Sequence, residues 1–118
     1  MSIPKFEIFT GKDNQFYFRL KAGNGEVIGH SEGYVSKQGT ENGISSVKVN
    51  APHNFRYTIF QGRDSQYYFK LKAGNGEIIL QSEGYVNKTG AQGGVASVKR
   101  NAPIAIVIDL TRSVANVR

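Results

Sequence analysis

The heptapeptide LKAGNGE at Leu20–Glu26 returns unchanged at Leu71–Glu77, 51 residues later. Sliding the chain by that interval aligns Lys5–Pro52 with Arg56–Pro103 without a gap, and 29 of the 48 aligned positions are identical. The chain is therefore an internal duplication, and the repeated heptapeptide is the hinge of each copy. Asn-Gly between two runs of alternating polarity is a strong hairpin signal, because both residues tolerate positive φ in a type I′ turn. Asn24, Gly25, Asn75 and Gly76 are read as turn formers before anything else.

Each copy is legible outward from its turn. Before it, QFYFRLK and QYYFKLK place Phe16, Phe18 and Leu20 on one face and Tyr17, Arg19 and Lys21 on the other, the period of a half-buried strand. KFEIFTG and RYTIFQG form an earlier strand closed by Gly and by the turn formers of GKDNQ and GRDSQ. EVIGHS and EIILQS form a third strand after the turn. The period then changes: Ile44, Val47 and Ala51, like Val95, Val98 and Ala102, recur at spacings of three and four, the buried stripe of a short helix. Ser36 or Thr40 can cap the first helix and Asn87 the second, and Pro52 and Pro103 stop them. IAIVIDL after Pro103 predicts one more strand, whereas the segment after Pro52 runs directly into the second copy.

The expected architecture is α+β: two tandem units whose strands join one sheet, with two helices on one side. Residues 1–118 are read as one domain, with repeats at 5–53 and 56–112 and a frayed tail at 113–118. Units of about 50 residues bury too little surface to be stable alone. Two copies closing a shared core reproduce the symmetry of a homodimer within one chain, so a monomer with an internal pseudo-twofold axis is expected.

YFRLKAGNGEVIGHSEGY with NGISSVK, and YFKLKAGNGEIILQSEGY with GGVASVK, resemble the YegP-like family of uncharacterised proteins. The ending NAPIAIVIDLT is similar to the usual close of that family. The resemblance runs from about Phe6 to Thr111 and implies two tandem βββαβ units forming a single antiparallel sheet, two helices packed on one face, and C-terminal strands exchanged between units. It implies no catalytic residues. Gly93-Gly94 stands where the first copy has Asn42-Gly43, a departure at the start of the second helix.

Composition narrows the chemistry. The chain has no Cys, which removes disulfides, thiolate nucleophiles and Cys-based metal sites. Chemistry performed by the unit itself should be duplicated, yet His30 faces Gln81 and His53 faces Ile104. No cofactor or metal site is expected, and no enzyme. Gly23-x-Gly25 and Gly74-x-Gly76 precede strands, not helices, so they do not make a phosphate loop. Ser31-Glu32-Gly33-Tyr34 and Ser82-Glu83-Gly84-Tyr85 sit where strand gives way to helix and read as corners, since no duplicated base stands ready to activate the Ser. MSIPKFEIF lacks the apolar core of a signal peptide and no window approaches a membrane span, so a cytoplasmic protein without membrane contact is expected.

The net charge is +6, with six Lys and Arg against five acids in residues 1–53 and nine against four in residues 54–118. The candidate functional surface is the polar face of the second strand: Tyr17, Arg19 and Lys21, with Tyr68, Lys70 and Lys72. If helices cover only the apolar side, this stripe stays open. The leading expectation is a small non-catalytic binding or interaction module for an unknown macromolecular partner. The alternative is single-stranded RNA or DNA stacked and neutralised on the basic, aromatic face. Residues 1–53 expressed alone at high dilution are expected to show no cooperative thermal transition by circular dichroism; a compact monomer that melts cooperatively would contradict the shared core.

Overall fold

The computed structural model describes residues 3–112; the tail 113–118 lies outside them. Three strands, β1 (Lys5–Thr10), β2 (Phe16–Lys21) and β3 (Val27–His30), lead into α1 (Lys37–Asn50). The second copy repeats them as β4 (Tyr57–Gln61), β5 (Tyr67–Lys72), β6 (Ile78–Gln81) and α2 (Lys88–Asn101), and β7 (Ile106–Asp109) follows. Both helices start as the sequence requires. Ser36 Oγ accepts from the Gly39 N–H at 3.0 Å, and Asn87 Oδ1 accepts from the Gly90 N–H at 2.8 Å.

The hairpin turns differ from the type I′ expectation. Only Gly25 (φ 90°) and Gly76 (φ 88°) are left-handed there; Asn24 and Asn75 are not. The Gly25 N–H donates to the Ala22 carbonyl, and the Ala22 N–H donates to the Glu26 carbonyl. The loop is thus Gly23-Asn24-Gly25, a right-handed turn followed by one left-handed residue. Asn24 contributes through its side chain, whose Oδ1 accepts from the Glu26 N–H at 2.9 Å. Asn75 does the same for Glu77.

All seven strands join one sheet in the order β4-β5-β6-β3-β2-β1-β7. The first six are antiparallel to their neighbours, and the halves meet where His30 pairs with Gln81, two residues related by the repeat. The pseudo-twofold axis therefore passes between them. β7 departs from a purely antiparallel sheet by running parallel to β1, so the sheet is mixed. The exchange itself explains this: counting along the sheet, β4 is antiparallel to β1, so a strand antiparallel to β4 of its own copy becomes parallel to β1 of the other. Exchange occurs in one direction only, because the corresponding part of the first copy is consumed in starting β4.

Both helices pack on the face carrying Phe18, Leu20, Phe69 and Leu71, all 0% exposed, and α1 and α2 bury Val47 and Val98 in the same core. Ser31 and Ser82 are buried corners, as their sequence suggests. Each Oγ accepts from the backbone N–H of Phe18 or Phe69 at 2.9 Å and donates to the next carbonyl, Glu32 or Glu83. No helix among the described residues is long and apolar enough to cross a membrane.

Helical glycines divide by what they touch. A Cβ on Gly94 would lie 2.7 Å from Phe69 Cε2 and still closer to the Tyr85 hydroxyl, whereas one on Gly93 would meet nothing within 4 Å. Gly93→Ala is expected to raise stability by about 1 kcal/mol through helix propensity. Gly94→Ala gains the same propensity but overpacks, and is expected to lower stability by about 1–3 kcal/mol. Thermal denaturation of both variants checks the difference in sign.

Candidate functional site

Strand pairing assembles the open face from residues far apart in sequence. Glu7 stands opposite Arg19, Arg19 opposite His30, His30 opposite Gln81, Gln81 opposite Lys70, and Lys70 opposite Thr58. Directly paired residues share a face, so this row crosses the sheet on the side away from the helices. Tyr17, Arg19, Lys21, Tyr68, Lys70 and Lys72 all lie on that side, each half-buried. The turn residues Asn24, Gly25, Asn75 and Gly76 remain at the hairpin tips.

The tyrosines do not stand free. Tyr17 stacks on Phe9 with ring centroids 5.7 Å apart and 18° between planes, and Tyr68 stacks on Phe60 at 5.7 Å and 19°. The Tyr17 hydroxyl donates to Asp13 Oδ2 at 2.6 Å, and the Tyr68 hydroxyl donates to Asp64. These bonds hold the Asp13 and Asp64 carboxyls below their usual range and push both phenols above theirs. Each tyrosine is thus oriented by its own turn, with one ring face already used.

The two copies part company in their cations. Arg19 lies 4.5 Å over the Phe9 ring and its Nε donates to Glu7 Oε1 at 2.8 Å. Lys21 Nζ comes within 3.2 Å of the same oxygen. Burial pushes the Glu7 carboxyl up, but hydrogen bonds and charge from Arg19 and Lys21 outweigh it and hold the group below the usual carboxylate range. In the second copy Thr58 replaces Glu7. Lys70 lies 5.1 Å over the Phe60 ring, and among the described residues neither Lys70 nor Lys72 has a carboxylate within 4.0 Å.

A shallow groove of about 510 Å³ on the first-copy side is lined by Phe9, Tyr17, His30 and the Gly11–Asp13 turn. His30 Nδ1 lies 3.7 Å from Glu83 Oε2 across the axis. His53 is elsewhere, beyond α1, tilted against the exposed Phe55. The face holds residues that the stripe did not name: Phe9 and Phe60, Glu7 and Thr58, and the axial pair His30 and Gln81. Alternation in KFEIFTG puts Glu7 and Phe9 on one side, but only the register shows which cation each meets.

Comparison with known proteins follows the repeat. The family described as "Domain of unknown function (DUF1508)" matches twice, at residues 12–57 and 63–109. The UPF0339 protein YegP of Yersinia pestis is 42% identical over 111 residues, covering 94% of this chain and 99% of that protein. The solution NMR structure of the E. coli protein YegP, described as of unknown function, has a TM-score of 0.87 at 43% identity, covering 93% of this chain and 95% of that one. The solution NMR structure of a UPF0339 protein from Shewanella oneidensis has a TM-score of 0.85 at 41% identity, with 93% and 92% covered.

The Glu7 ion pairs carry a pH signature. Because the folded carboxyl titrates below its ordinary 4.5, the stability it adds is complete above that value and is lost as pH falls through the lowered one. Glu7→Gln is expected to cost about 1 kcal/mol at neutral pH and little at about pH 2. Urea denaturation of both proteins at the two pH values measures the difference.

Proposed function

The chain belongs to the DUF1508 family of YegP-like UPF0339 proteins, and we propose that it is a non-catalytic binding module whose open sheet face takes an anionic macromolecular partner, chiefly on the second-copy side. The supporting observation is the replacement of Glu7 by Thr58. It leaves Lys70 and Lys72, among the described residues, without a carboxylate within 4.0 Å beside the Phe60–Tyr68 stack, on a face that neither helix covers. A cation already paired gains little from an incoming anion, because the new contact must replace an existing one. A cation without a partner gains the full contact.

The same geometry argues against catalysis as the purpose of four repeated hydroxyls. Those of Tyr17 and Tyr68 are bound to Asp13 and Asp64, and those of Ser31 and Ser82 to backbone. Each is engaged in shaping a turn or a corner. The module acts as a monomer in the cytoplasm in this reading.

Single-stranded nucleic acid is the second reading, favoured by an aromatic stack lying next to two cations. Two polyanions discriminate: a ten-nucleotide oligo-dT and a polyglutamate peptide, each titrated at about 20 mM and 200 mM salt. Anion recognition predicts binding that weakens with salt and falls at least ~10-fold in Lys70→Glu/Lys72→Glu, against less than ~3-fold in Arg19→Ala/Lys21→Ala. Loss of oligo-dT binding in Tyr68→Ala, with polyglutamate binding retained, would select the nucleic-acid reading. No binding of either polyanion at the lower salt would overturn the anionic-partner proposal.

A further inference from the structure

We propose that the outer edge of β4 is a receptor for an extended segment of a partner polypeptide, which adds parallel to β4 as β7 adds to β1. The duplication supplies the argument. β1 and β4 are the same strand in two copies, yet β1 has β7 along its outer side, and among the described residues nothing pairs with the outer side of β4. Consequently Phe6 is 0% and Ile8 1% exposed, while their counterparts Tyr57 and Ile59 are only half-buried.

The features that hold β7 are present again around the vacant edge. Lys37 Nζ pairs with Asp109 Oδ2 at 2.9 Å, and Lys48 Nζ donates to the Ala105 carbonyl at 2.7 Å. Their repeat counterparts Lys88 and Lys99 have neither a carboxylate nor a carbonyl partner among the described residues. The carbonyls of Pro4 and Ile8 accept from the N–H groups of Ile106 and Leu110. Alternate residues of β1 therefore aim their backbone groups at β7, and Tyr57 and Ile59 correspondingly aim theirs away from β5. The edge itself is undefended. YTIFQ has no charge, no Pro and no bulge against β5, although exposed edges ordinarily carry one of these.

The occupant follows from the receptor: an extended strand with alternating β-branched apolar residues and a carboxylate where Asp109 stands in β7. β7 itself lies at the opposite edge of the sheet, six strand spacings or about 29 Å from β4. A second copy fits less well, since β7 offered in trans would uncover its own β1, and each copy carries a charge of +6.

The probe is a synthetic peptide of residues 102–112, titrated into the ¹⁵N-labelled full chain. Expected are saturable binding and amide shifts along Tyr57–Gln61 with β1 unchanged. Ile59→Pro, which removes an outward N–H from an edge position where Pro is tolerated, is expected to abolish binding. Lys88→Glu is expected to weaken it at least ~10-fold, with recovery when the peptide carries Asp109→Lys. Lys70→Glu/Lys72→Glu should leave peptide binding unchanged, which separates this edge from the open face. The proposal is overturned by no binding at millimolar peptide, by shifts confined to β1 and β7, or by sedimentation showing that copies already associate through β4.

Discussion

The three-strand sheets of the two copies meet at one strand pair, β3 with β6, and the axis through it dictates what stands there. A residue on a pseudo-twofold axis meets its own counterpart, so identical copies would set a side chain against itself. Position 29 shows the conflict: a Cβ on Gly29 would lie 2.9 Å from Leu80 Cγ, and Leu80 is the residue that the repeat places at position 29. Two leucines would collide and two glycines would leave a void, each a destabilising outcome. One of each fills the space once. The divergence of Gly29 from Leu80, in two copies otherwise so alike, is what allows a single continuous core.

The crossing of β7 propagates a second asymmetry. By lying against β1 it seals Phe6 and Ile8 and also reduces Glu7, which faces Ile108, to 8% exposure. A carboxylate so enclosed must be paired, and Arg19 and Lys21 converge on it. Thr58, at the same place in β4, is exposed and needs no counter-ion. One topological event thus accounts for the covered strand, the buried acid and the quenched cations of the first copy. It also accounts for the second copy, where among the described residues no strand lies outside β4 and no carboxylate pairs with Lys70 or Lys72.

Much of this was legible in sequence because it depends on local pattern. Alternation located the strands, spacings of three and four located the helices, and Ser36 and Asn87 capped them as their side chains allow. The turn type was not legible, since Asn-Gly serves both a two-residue loop and the three-residue loop that formed; the choice depends on where the strands' hydrogen bonds close. Nor was the direction of β7, because IAIVIDL specifies a strand but not its neighbour. The open face was half legible. Tyr17, Arg19 and Lys21 could be placed together, but the Glu7 that neutralises two of them belongs to another strand and is assigned only by register.

An internal duplication invites the rule that function must be repeated in both copies. Here that rule holds for shape and fails for charge. Residues that build turns, corners and the shared core are preserved because each copy faces the same local problem. Residues near the axis, or beside the exchanged strand, face different surroundings in the two copies and are released from that identity. With Glu7 at position 7, the first copy's stripe is an ion-pair network; with Thr58, the same stripe is two cations that have no carboxylate partner among the described residues, beside an aromatic stack. Since a duplicated scaffold keeps one copy as structure, the other is free to change without unfolding the whole. The positions where the copies disagree, and not those where they match, are therefore the ones at which recognition is to be sought.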